Sequence, residues 1–277
     1  MTTMFNATLQ LAGRLKVLKV STATGGSTTT IVDTKRTESI DAFNGGGAWI
    51  ITDAGGESAA PEGEWAHVTD WAASGTTATI SAVTAAVASG DTYGIAVGYT
   101  IHDLIIAIND EITKQKVTRY DRTSLDIVSG QSEYTLPAGI RQDNLVNVYE
   151  ETDTDTSDSQ PTQLSFEVQT AAAGSQHKLV IKSRGVTAGN DIMLEYTTAQ
   201  SPLYLATDTI DGSILMARIL DNAAAGARAT KMLTTGSESE LEVALWKAHR
   251  EDAVLARAEN PVRRKAKRGN INEAAGD

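Results

Sequence analysis

Cysteine is absent from the 277-residue chain. That excludes disulfides, thiolate metal sites and a cysteine nucleophile, and it fits an intracellular assembly route. Aromatic residues make up only 5%, too few for an aromatic-lined ligand pocket. No run of about 18 apolar residues occurs, so no membrane span is expected. The first residues show no basic stretch followed by a compact apolar core, so no secretory signal is expected either. What is abundant is Thr, Ala and Gly, a composition suited to β-structure with small exposed side chains.

Positive charge is also scarce over most of the length. The formal net charge is −11. From Pro261 onward, Arg263, Arg264, Lys265, Lys267 and Arg268 face only Glu273 and Asp277, a net +3 that leaves −14 on the rest. An acidic body repels a nucleic-acid backbone, while a basic tail meets something negative.

Periodicity divides the chain. Residues Ala7 to Val20 read as a helix with Leu9, Leu11, Leu15 and Leu18 on its apolar side, interrupted by Gly13. From Ser21 to about Gly98 the runs "TTTIVD", "GAWIIT", "EWAHVTDW", "TTATISAV" and "DTYGIAV" alternate with Gly-rich turns, the texture of a small barrel or sandwich. Ile101, Leu104, Ile105, Ile108 and Ile112 then mark a helix over about 101–118, with Thr100 and Asp103 as a capping box. "SLDIVSGQSEYTLPAGI", "NLVNVYEE", "LSFEV", "HKLVIKS" and "DIMLEYTT" form a second β-region. Ile210 to Met232 and a segment from Ser237 to Asn260 read as helices, and Pro261 ends the second. The expected fold class is therefore α+β: a helical core of about four helices, an inserted small β-barrel or sandwich domain, and a second β-region. The boundaries are 1–20 and 99–120 for the core part, 21–98 for the insertion, 121–204 for the second β-region, 205–260 for the C-terminal helices and 261–277 for a basic, flexible tail.

The stretch Gly25 to Thr34, "GGSTTTIVDT", offers a glycine pair and a row of hydroxyls. A phosphate loop needs glycines four residues apart, then Lys and Ser/Thr opening a helix. Here the glycines adjoin, no Lys follows, and Ile31-Val32 indicates a strand, so a turn into a strand is expected. In the acidic stretch "EETDTDTSDSQ", Asp153, Asp155 and Asp158 invite a calcium test. An EF-hand loop needs Gly at its sixth position and Glu at its twelfth; counted from Asp153, these hold Asp158 and Leu164. A solvated loop is expected instead. His67, His102, His177 and His249 show no metal-ligand spacing, and no Gly-x-Ser-x-Gly elbow anchors a hydrolase triad. Asp110-Glu111 lies on the polar side of its helix. No catalytic, cofactor or metal residue is expected, and the chain is not expected to be an enzyme. The tail "NPVRRKAKRGN" admits nucleic-acid contact, a solubilising role, or docking into an acidic partner by folding on binding; the last is preferred.

Three segments, "TATGGSTTTIVDT", "GAWIIT" and "SGDTYGIA", resemble the β-domain of tailed-bacteriophage neck proteins. "TSLDIVSGQSEYTLPAGI" followed by "LVNVYEE" is similar to the segment those proteins carry after a central helix, and "ALWKAHREDAVLARAENPVRRKAKRG" resembles their C-terminal helix and tail. The resemblance implies a structural virion protein of the neck, a head-to-tail adaptor (connector) assembled in the host cytoplasm. Such adaptors form a ring, usually of about twelve copies, between the portal protein and a tail or stopper protein. By that likeness Arg263, Arg264, Lys265, Lys267 and Arg268 would be the portal-docking residues. DNA would pass through an acidic channel without specific binding, and no membrane is involved. The 21–98 insertion departs from the small adaptors, which lack it. The alternatives are another neck or tail structural protein (stopper or tail completion) or a surface glycan-binding β module.

Overall fold

The computed structural model describes residues 1–56, 59–72, 76–151, 161–170 and 176–235, and within 243–254 residues 243, 244, 246–248, 250, 251 and 254. The expected helical core is overturned: the described residues are mostly β-sheet, one sheet seven-stranded, and more of the buried side chains lie in strands than in helices. The described chain divides into two compact units, one formed by Met1 and described residues within Ile112–Pro202 and Ile210–Ile214, the other by described residues within Thr2–Glu111, Leu203–Thr209 and from Leu215 onward.

In the second of these units a two-residue strand, β1 (Thr2–Thr3), leads into helix α1 (Met4–Arg14). The Thr3 side chain caps it by accepting from the Asn6 N–H at 3.3 Å, and Met4, Phe5, Ala7, Leu11 and Ala12 are buried. The helix does not run on to Val20. Lys16 takes a left-handed φ of 58°, and residues Leu18–Thr22 form strand β2. The β-branched Val20 and Thr22 favour a strand, and five backbone pairings with β8 are available there.

The strands that follow are β3 (Gly25–Ser27), β4 (Thr30–Val32), β5 (Gly47–Thr52), β6 (Trp65–Trp71), β7 (Thr77–Ile80) and β8 (Thr92–Ala96). With β2 they make one seven-stranded sheet in the order β2-β8-β5-β6-β7-β4-β3. Strand β6 pairs with β5 through Trp65–His67 and with β7 through Val68–Trp71, its register shifting between Val68 and Asp70. One core of Ile31, Phe43, Ile50, Val68, Trp71, Ala78, Tyr93 and Ile95 results. Phe43 meets Trp71 edge-on, with ring centroids 4.6 Å apart. The Gly45-Gly46-Gly47 run does more than turn the chain: a Cβ on Gly46 would lie 2.1 Å from the Ala96 carbonyl oxygen, so only glycine fits.

Helix α2 (Ile101–Ile112) begins with the expected capping box: the Asp103 N–H donates to Thr100 Oγ1 and the Thr100 N–H to Asp103 Oδ2, each at 3.0 Å. It ends six residues before the expected 118, because Lys116–Asp121 becomes strand β9. A buried indole ties α1 to the sheet: Trp49 Nε1 on β5 donates to Thr8 Oγ1 at 3.1 Å.

The other unit continues with β10 (Glu133–Thr135), β11 (Leu145–Glu151), β12 (Thr162–Gln163), β13 (Phe166–Gln169), β14 (Lys178–Ile181) and β15 (Asp191–Ala199). Two sheets, β12-β11-β15-β9 and β10-β14-β13, enclose a shared core. Val148, Ile192 and Leu194 come from one sheet, and Tyr134, Val168, Leu179 and Ile181 from the other. This is a β-sandwich built by period-two alternation.

A short strand, β16 (Thr209–Ile210), precedes helix α3 (Met216–Thr235). Small side chains on α3 (Ala223, Ala224, Ala227) are buried and let it lie close to α1. Asp221 pairs with Arg14, and the buried Arg228 donates to the Leu15 carbonyl at the C-terminal end of α1, where a cation suits the helix dipole. Residues such as Val243, Trp246 and Arg250 are also helical. Among the described residues α1 and α3 are the helices that pack substantially on one another, so no four-helix core forms.

Candidate functional site

The glycine–hydroxyl stretch that opened the phosphate question is a β-hairpin. Gly25–Ser27 and Thr30–Val32 pair antiparallel, and Ser27 Oγ lies 2.8 Å from Thr30 Oγ1 and accepts from the Thr29 N–H at 3.1 Å. The Ser27, Thr29 and Thr30 hydroxyls are engaged within their own turn, and a strand, not a helix, follows. The histidines are scattered: His67 is exposed on β6, His102 exposed in the first turn of α2, and His177 half-buried before β14. Asp110 is exposed on α2. No cluster of three or more metal-ligating side chains occurs among the described residues, and no helix among them is long and apolar enough to cross a membrane. Asp153, Asp155, Asp158, His249 and the basic residues Arg263, Arg264, Lys265, Lys267 and Arg268 lie outside the described residues.

The sequence reading missed the strongest polar constellation. It forms where the end of β4 meets β8. Asp33 is fully buried and accepts from Ser21 Oγ at 2.5 Å, from the Lys35 N–H at 3.0 Å and from the Tyr93 hydroxyl at 3.0 Å. Arg36 lies 3.6 Å from the same carboxylate, donates to Tyr93 Oη at 3.0 Å and to Glu38 at 2.9 Å, and sits over the Phe43 and Tyr93 rings. Burial opposes the Asp33 charge, but the hydrogen bonds from Ser21, Lys35 and Tyr93 and the Arg36 cation outweigh it and hold its carboxyl below the usual carboxylate range. Burial pushes the Tyr93 phenol up to about 12, with Asp33 reinforcing the shift and Arg36 opposing it. Both groups are thus moved away from neutrality, which makes them poor proton-transfer groups at pH 7. Their chemistry is that of a tie: the 33–38 loop is fastened to β2 and β8.

This tie has an alkaline signature. A phenol whose folded pKa is raised stabilises the fold fully below its unfolded value of 10.0, and loses that contribution as pH rises from there to about 12. Denaturant unfolding at about pH 9 and about pH 11 should show a fall in stability that Tyr93→Phe removes. A Tyr93→Phe variant that falls as steeply as the parent would contradict the assignment.

A second constellation lies on the four-stranded sheet. Val148 and Leu194 point into the sandwich core, so Asn147, Tyr149 and Glu195 point to the opposite face. Glu195 accepts from Tyr149 Oη at 3.0 Å and from Asn147 Nδ2, and Gln163 Nε2 donates to Asn147 Oδ1 at 3.0 Å. Burial, then the hydrogen bond and charge of Glu195, raise the Tyr149 phenol. Arg122 pairs with Glu151 at 3.2 Å on the same sheet. These contacts join β9, β11, β12 and β15 from side to side.

No protein-family model matches the chain, and no curated protein is recognisably similar to it.

Proposed function

We propose that this chain is a structural protein of a virion's neck, a head-to-tail adaptor that works as a ring between portal and tail. The observation that carries this reading is the convergence of the three resembling segments. Thr22–Thr34 contains the β3–β4 hairpin, Gly47–Thr52 is β5, and Ser89–Ala96 contains β8. They meet in space: β5 pairs with β8, the Ala23 N–H donates to the Asp91 carbonyl at 2.8 Å, and Asp33 bonds Tyr93. The likeness therefore belongs to one contiguous module. The polar constellations fit this role, since each fastens strands or loops together. In the proposal the five basic tail residues dock on the portal, and the acidic body keeps DNA from adhering in the channel.

The test is electron microscopy of a lysate from a virus lacking this gene. DNA-filled heads without tails, beside free tails, are the expected result. Intact virions would overturn the proposal.

A further inference from the structure

Sheet edges are where a β protein can be extended by another chain, and natural folds shorten or cover them. Most of the described edges obey. β12, β10, β3 and β13 are two, three, three and four residues long. The outer side of β3 is further bonded, the Val87 N–H donating to the Ser27 carbonyl at 3.2 Å. The edge strand β2 is five residues long, and its Lys19 side chain is paired with Glu38 of the adjacent 33–38 loop. Among the described residues the longest edge strand is β9, six residues from Lys116 to Asp121 at the end of the four-stranded sheet, with no glycine or proline.

Its outward backbone groups can be assigned. The Gln200 N–H donates to the Gln115 carbonyl at 3.2 Å, one step beyond the β9–β15 ladder and in the same register. In an antiparallel pair such bonded residues alternate. Gln115, Val117, Arg119 and Asp121 therefore bond inward to β15, and Lys116, Thr118 and Tyr120 direct their N–H and C=O groups outward. All three are exposed, Tyr120 at 55%.

We infer that β9 pairs antiparallel with β9 of a second copy of this chain, joining two four-stranded sheets into one. Only two registers put the outward groups of both strands opposite one another near the middle. With Arg119 on the two-fold axis, two arginines face each other at close range, which is unfavourable. With Thr118 on the axis, Thr118 faces Thr118 of the second copy, and Lys116 faces Tyr120 of the second copy across both ends. Those are a favourable hydroxyl pair and two cation–π pairs. The strand is thus complementary to itself in one register, which singles out a second copy over a foreign strand. A two-fold contact closes on itself, so it describes the free protein and is separate from the head-to-tail contacts of a ring. The area is small, which sets a weak dimer, with dissociation on the order of micromolar or above.

The test uses the whole chain. Sedimentation velocity over a concentration series should show a dimer that Thr118→Pro abolishes, since proline removes the central outward N–H. A circular-dichroism spectrum unchanged from the parent's checks the variant's fold. In the parent, amide exchange at Lys116, Thr118 and Tyr120 should slow as concentration rises, with Val117, Arg119 and Asp121 unaffected. Because the chain has no cysteine, a Thr118→Cys variant should be joined to itself by a short thiol–thiol linker far faster than an Arg119→Cys variant, and this reading does not depend on the proline variant folding. A monomer at every concentration, or self-association that leaves these three amides unchanged, would overturn the inference and leave the edge to a strand of another protein.

Discussion

Asp33→Ala should lower the free energy of unfolding by about 3–5 kcal/mol, the range for removing one partner of a buried ion pair. The Asp33 side chain is 1% exposed and that of Arg36 9%. Taking the carboxylate away leaves the guanidinium in the same place with Glu38 as its remaining charge partner, and leaves the Ser21 and Tyr93 hydroxyls without their acceptor. The penalty comes chiefly from those stranded donors and from the uncompensated cation. A double variant, Asp33→Ala with Arg36→Met, should therefore recover part of the loss. The pH dependence has a definite sign. Because the folded carboxyl sits below the unfolded value of 3.8, its contribution is present above pH 3.8 and is lost as pH falls through the folded value. Denaturant unfolding in acid should show that slope in the parent and a shallower one in Asp33→Ala. A loss below about 1 kcal/mol would mean that Arg36 finds water readily when its partner is gone.

The residues that make this tie explain what could be read in the sequence. Ser21, Asp33, Arg36 and Tyr93 come from two strands and a loop, and Tyr93 lies 60 positions from Asp33. No spacing rule links them, because three strands stand between β4 and β8 in the sheet order and only the long-range folding of the sheet brings Asp33 to Tyr93. The same holds for Asn147 and Glu195, 48 positions apart. Local chemistry was legible: the Thr100–Asp103 capping box, the glycine–hydroxyl turn between β3 and β4, and the β-rich runs that became β4 to β8. All of these depend on residues within a few positions of one another. The basic tail, the one site the sequence nominated, lies outside the described residues.

The helical core failed for a related reason. The expected helices take in both Leu15–Val20 and Thr113–Thr118 beyond their last observed turns. Yet each runs into β-branched residues, Val20 followed by Thr22, and Val117 with Thr118, and each is claimed by a partner strand, β8 or β15. Pairing decides strand against helix where propensity is nearly balanced. Moreover, α2 buries Leu104, Ile105 and Ile108, but a helix with one apolar stripe reports only that something apolar lies against it, and a sheet serves as well as a helix bundle.

Trp49→Ala is the other change with a large expected effect, about 3–5 kcal/mol for emptying a buried aromatic site. Trp49 has no solvent exposure, and its ring stands between the sheet and α1. The indole N–H ends on Thr8 Oγ1, whose own hydroxyl donates to the Phe5 carbonyl at 2.9 Å, so the chain of bonds fixes the helix against β5. The two halves of the contact can be separated. Thr8→Val keeps the packing and strands a buried indole donor, which should cost about 1–3 kcal/mol. Trp49→Phe removes that donor and much less volume than Trp49→Ala. Adding Thr8→Val to Trp49→Phe should then cost less than Thr8→Val alone, since no donor is left to strand. Urea unfolding of the four chains gives the coupling energy directly. Equal costs of Thr8→Val in both backgrounds would show that the hydrogen bond contributes nothing, and that apolar contact alone holds α1 to the sheet.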